Sequence, residues 1–130
     1  MGIHGIHLLL RPPSGSLWQR YDPLLHELVD VPDSERSCSS ALQAAVELMP
    51  MGNATLVLLA AEPAMYAAKY ANHESLVWRD AGVLLGYLSL TATALGLIFC
   101  PLGLTGEAAL KSLDSQGKLA GVGMAAVASA

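Results

Sequence analysis

From Ala81 to Thr105 the chain carries no charged side chain. A run of that length either spans a bilayer as one helix or supplies the middle of a protein core. Its internal punctuation favours the core. Gly82, Gly86, Gly96 and Gly103 interrupt it, Ser89, Thr91 and Thr93 add hydroxyls, and Pro101 sits near its end. It divides at Gly96 into a helical part and a β-rich part, Leu97-Ile98-Phe99-Cys100. Neither a basic cluster nor paired aromatic belts mark its ends, as a membrane span requires. The expectation is a buried helix within the core of a dimer, not a membrane protein.

Composition points the same way. Hydrophobic residues make up 53% of the chain and charged residues 14%, against about a quarter charged in ordinary globular proteins. A lone monomer of this composition exposes much apolar surface, which predicts a partner chain. The net charge is −4, and the seven basic residues, from Arg11 to Lys118, are scattered. That balance excludes a nucleic-acid footprint. Cys38 and Cys100 lie far apart. The first residues lack the basic start of a secretory signal, so reduced thiols in a cytoplasmic protein are expected, both acting as small buried hydrophobes.

The 130 residues suit one domain. Residues 1–32 predict a β-meander: runs at 4–10, 17–21 and 26–31 are separated by Pro12-Pro13-Ser14-Gly15 and by Asp22-Pro23. Residues 38–130 predict an α+β core. A helix is expected from Ser39 to Leu48, with Leu42, Ala45, Val46 and Met49 as its apolar face and Ser37, Ser39 and Ser40 as capping residues. Thr55-Leu56-Val57-Leu58-Leu59-Ala60 shows no alternation, the pattern of a strand buried on both faces. Glu62-Pro63 opens a helix carrying Met65, Tyr66, Lys69 and Tyr70. A longer helix is expected from Glu74 to Leu95, closed by Gly96. A strand at 98–102, a short helix at 106–113 and a last strand at 119–127 complete the expectation of α+β architecture around a central, mostly antiparallel sheet.

Four segments resemble the flavin-dependent nitroreductase superfamily in type and order: Trp78-Arg79-Asp80-Ala81-Gly82, Gly86-Tyr87-Leu88, Ala94-Leu95-Gly96-Leu97 and Cys100-Pro101-Leu102-Gly103. Val122-Gly123-Met124-Ala125-Ala126-Val127 is similar to the family's last core strand. Tyr21-Asp22-Pro23 with His26-Glu27-Leu28, and the pair Lys69-Tyr70, are similar to the branch that oxidises azolines in peptides to azoles.

The resemblance implies a nitroreductase-like fold, truncated to the family's C-terminal half, in which the long helix builds a dimer core. It implies FMN as cofactor, held at Pro101, Leu102, Gly103 and Leu104. Lys69 and Tyr70 become the general base and proton relay, acting on a modified peptide or other small biosynthetic intermediate. The family's arginine-rich flavin-phosphate motif has no counterpart here: Arg11 precedes Pro12-Pro13, and Arg20 stands in a strand-like run. A homodimer, or a complex with a fuller flavoprotein subunit, is therefore expected to supply the phosphate's cationic donors. The alternative is a degenerate, non-catalytic subunit that works through protein–protein contact.

The remaining polar residues suggest ordinary roles. His4 and His7, three apart on a strand, face opposite sides and predict no metal site. His26 and His73 are expected as hydrogen-bonded surface or interface residues. Gly121 and Gly123 lie in an apolar strand rather than at a strand-to-helix turn, so they form no phosphate loop.

Overall fold

The computed structural model describes residues 5–130; His4 lies outside them. The architecture follows from the most apolar strand, β4 (Thr55–Ala61). Leu56 to Ala61 are all buried, which demands a layer on each side and a neighbour along each edge. The neighbours are β1 (Ile6–Arg11) and β6 (Ala120–Ser129), both antiparallel to it. With β2 (Gln19–Asp22), β3 (Glu27–Asp30) and β5 (Leu97–Leu102), they complete a six-stranded sheet of order β3-β2-β1-β4-β6-β5. Every pairing is antiparallel. The fold is α+β, and β1, β2 and β3 form the expected meander.

Alternation along β4 assigns the two cores. Leu56, Leu58 and Ala60 face one cluster with Trp18, Cys38, Ala41, Ala45 and Leu110. Val57, Leu59 and Ala61 face the other with Tyr66, Val77 and Ala81. Helices α1 (Glu35–Leu48) and α4 (Glu107–Leu113) cover the first face; α2 (Pro63–Ala67) and α3 (His73–Ala94) cover the second.

Helix α1 begins four residues before the expected Ser39, and its serines are not caps. Ser37 is buried inside the helix and its Oγ accepts the Trp18 indole N–H at 2.9 Å. Ser34 Oγ accepts the Trp18 backbone N–H at 2.9 Å and donates to the Val31 carbonyl at 2.7 Å. A fully buried tryptophan needs a partner for its N–H, and that need fixes these serines. The buried face is Ser37, Cys38, Ala41 and Ala45; Val46, expected in it, is exposed. Its small residues let α1 pack close to the sheet.

The strand and helix after Gly96 fit their expected places. Gly96 takes a left-handed φ of 71°, which costs glycine nothing, and β5 turns back from the end of α3 to the sheet edge beside β6. Pro101 is tolerated there because an edge strand has a row of N–H groups without a ladder partner. Among the described residues no helix is long and apolar enough to cross a membrane.

The two glycines of β6 serve packing. At Gly121 an added Cβ would sit 2.6 Å from the Glu107 backbone nitrogen and 2.6 Å from the Thr105 carbonyl oxygen. That contact presses the start of α4 onto the sheet, and Gly121 N–H donates to Glu107 Oε2 at 2.7 Å. Between Gly121 and Gly123 the ladder slips, with Ala60 opposite Gly121 and Leu59 opposite Gly123. Val122 is the extra residue of a β-bulge.

Candidate functional site

The topology places the expected site residues in two separate parts of the sheet. Ala61, the last residue of β4, pairs with Ala120, the first of β6, and Ile6 at the start of β1 pairs with Ala61. Leu102 ends β5 opposite Met124, which pairs on its other side with Leu58 in the middle of β4. The chain leaves β4 at Ala61 into α2, on the α2/α3 face, whereas Leu102 and Leu104 pack on the α1/α4 face. The Lys69–Tyr70 segment and the Cys100–Leu104 turn thus belong to different faces of the sheet.

Lys69 and Tyr70 stand outside the helix expected to carry them. Helix α2 stops at Ala67, and both residues lie in the following turn, whose N–H groups donate to the Tyr66 carbonyl at 3.0 and 2.9 Å. Both are exposed. Lys69 thus lacks, within this chain, the burial that the general-base role expected of it calls for. The tyrosine buried in α2 is its neighbour Tyr66, which donates through its hydroxyl to Asp80 Oδ2 at 3.0 Å. Burial, then the hydrogen bond and charge of Asp80, push the Tyr66 phenol up to about 12. Asp80, the acidic residue of the Asp80-Ala81-Gly82 segment, thus locks α2 onto α3.

At the other turn, Leu102 and Leu104 pack half-buried against the first core cluster, while Pro101 and Gly103 are exposed. Leu104 accepts through its carbonyl from Met124 N–H at 3.1 Å, which fixes the turn on β6. The N–H groups of Gly103 and Leu104 donate to no protein group among the described residues, and a Cβ built on Gly103 meets nothing within 4 Å. The turn thus leaves two N–H groups without a protein acceptor beside an unobstructed backbone. This is the turn expected to approach the FMN ring. It presents no cationic side chain for the phosphate, and no hydrogen bond joins it to Lys69 or Tyr70 among the described residues.

The Tyr21-Asp22-Pro23 segment has a structural task. Asp22 Oδ1 accepts the Leu24 and Leu25 N–H groups at 2.9 and 3.2 Å, an Asx-type turn. Tyr21 Oη lies 2.8 Å from His26 Nδ1, with the two rings edge-on, 5.7 Å between centroids. His26 takes a φ of 52°. These contacts shape the β2–β3 hairpin. Both cysteines are free thiols; burial pushes the Cys38 thiol up, partly opposed by Arg11 beside it.

Helix α3 presents an apolar stripe to solvent. Val83, Tyr87 and Leu90, at four- and three-residue spacing, are 52%, 67% and 70% exposed, and Leu95 just past the helix is exposed as well. The helix therefore covers the sheet with one face only, and its burial in a dimer core, as expected from the sequence, would need a second chain on the other. Gly86 lies within the stripe, with nothing of this chain within 4 Å of an added Cβ.

One group of residues escaped the sequence reading. A groove of about 630 Å³ opens on the α1/α4 face, bordered by His7, Arg20, Glu62 and Lys118. His7 Nε2 stands 3.3 Å from Glu62 Oε2. His7 was weighed only against His4, and Glu62 only as a helix opener. Their pairing depends on the β1–β4 register, which spacing along the chain does not reveal.

No protein-family model matches the chain, and no curated protein matches it.

Proposed function

We propose that this chain is a nitroreductase-like subunit of an FMN-dependent oxidoreductase that dehydrogenates a modified peptide or another small biosynthetic intermediate, of the azoline-to-azole type. The observation that carries the reading is the Gly103–Leu104 turn, whose N–H groups have no protein acceptor among the described residues and whose backbone is open at Gly103. Pro101 and Leu102 hold that turn on β5, so the ring edge would meet a rigid backbone. FMN, when bound, supplies the acceptor for the substrate hydride. Lys69 would take the Cα proton and Tyr70 would relay it to solvent, each gaining its surroundings from the bound substrate. The phosphate's cationic contacts come from a second chain, a homodimer mate or a fuller flavoprotein subunit, docked on the α3 stripe.

The second reading, a non-catalytic subunit acting through protein contact, is favoured by one observation, the exposure of both Lys69 and Tyr70. Purified protein incubated with FMN, desalted and scanned in the visible separates the two. Retained flavin bands support the oxidoreductase; a folded, colourless protein supports the non-catalytic subunit.

A further inference from the structure

The groove on the α1/α4 face is chemically distinct from the turn at β5. It lies over β4, β1, β2 and β3, while the Cys100–Leu104 turn belongs to the opposite edge strand. Its floor is set by register. His7 and Leu9 point to one side of β1, Ala60 pairs with His7, and Leu9 pairs with Arg20, which in turn pairs with Val29. His7 and Arg20 are thus diagonal neighbours on one sheet face, about 7–8 Å apart. Val31 and Leu119 supply apolar walls.

The carboxylates and cations of the groove differ in how far they are committed. Asp114 Oδ2 accepts the Leu119 N–H at 2.7 Å. Asp30 Oδ1 accepts from Gln19 Nε2 at 3.2 Å, and by strand alternation its side chain turns away from the face that carries Val29. Glu62 is engaged by His7 at 3.3 Å. Neither Arg20 nor Lys118 has an ion pair or hydrogen bond through its side chain among the described residues. Arg20 is half-buried on the sheet and Lys118 is exposed on the loop opposite. Arg20 and Lys118 are therefore the charged groups of the groove whose donors are free to meet a ligand's oxygens, beside apolar walls.

We propose that the groove is a binding site for a small organic carboxylate with an apolar body. Its carboxylate lies on the Arg20 guanidinium, whose planar fork matches two oxygens, with Lys118 closing over it. The apolar body lies on Leu9, Val29, Val31 and Leu119. His7 turns Nε2 to Glu62, which leaves Nδ1 as the ring nitrogen open to a polar group of the ligand. The groove's volume is within the range of small-molecule sites.

Amide NMR titration of the full chain with 4-hydroxybenzoate, and separately with the neutral 4-hydroxybenzamide, tests the proposal. Saturable shifts confined to the strands and loop around the groove are expected for the benzoate, with little response to the benzamide. Arg20→Gln and Lys118→Gln should each weaken benzoate binding about tenfold or more, as loss of a charge-assisted hydrogen bond does. Lys118 is exposed on a loop, so its variant reads the site even if Arg20→Gln perturbs the sheet. The absence of saturable shifts at millimolar benzoate, equal response to the two probes, or an unchanged affinity in folded Lys118→Gln would overturn it.

Discussion

The Tyr66 hydroxyl donates to Asp80 Oδ2 at 3.0 Å, and through that bond the short helix after β4 is tied to the long helix α3. The neutral phenol is the form the fold holds, and its value rises from 10.0 to about 12. A group whose folded value is raised contributes its full stability below its unfolded value and loses it as pH climbs through the folded one. Urea denaturation should therefore show a loss of stability as pH rises from 10 towards about 12. Tyr66→Phe should cost about 1 kcal/mol at neutral pH and flatten that alkaline slope.

Two glycines should respond oppositely to substitution. Gly121→Ala forces a methyl into the backbone at Thr105–Glu107, and overpacking of this kind costs about 1–3 kcal/mol. Gly103→Ala enters open space and should leave thermal stability within experimental error. Equal melting shifts for the two variants would contradict the packing described for β6.

The apolar stripe on α3 predicts self-association or a partner. Light scattering at micromolar concentration should give a dimer or larger species, since obligate interfaces bury upwards of about 2,000 Å². Gly86→Leu and Tyr87→Glu should each shift the population towards monomer. A monodisperse wild-type monomer, free of any partner, would remove this element of the account.

Lys69→Ala and Tyr70→Phe should lower azoline-peptide oxidation by about 10²–10⁴-fold, the usual loss for a positioned general base. Because both side chains are exposed, circular dichroism and flavin content should not change. Near-wild-type turnover in either variant would make that residue a bystander.

The sheet was legible where a strand's chemistry was extreme. Leu56 to Ala60 could only be a central strand, and Gly96 marked the end of α3 because a left-handed residue there suits glycine. The start of α1 was hidden because Ser34, Ser37 and Cys38 look like a polar approach until Trp18, sixteen to twenty residues earlier, claims the serines as hydrogen-bond partners. The α2 boundary was missed for a local reason: Lys69 and Tyr70 continue a helical pattern, but both their N–H groups fold back onto the Tyr66 carbonyl. The partnership of His7 with Glu62 arises from strand register, so no local pattern announced it. The long uncharged run from Ala81 gave the right elements, but hydropathy does not distinguish the residues of a core face from those turned outward.

Flavin fluorescence quenching on titration of FMN with the wild-type chain and with Gly103→Leu tests the flavin site most directly. The account predicts saturable but weak quenching by the wild type, strengthened by any partner that supplies cationic groups. It predicts at least about tenfold weaker binding by Gly103→Leu, one lost contact of about 1.4 kcal/mol, with the fold unchanged. Absence of saturable quenching by folded wild-type protein, or equal affinity in the two chains, would contradict the placement of the flavin ring at the Cys100–Leu104 turn.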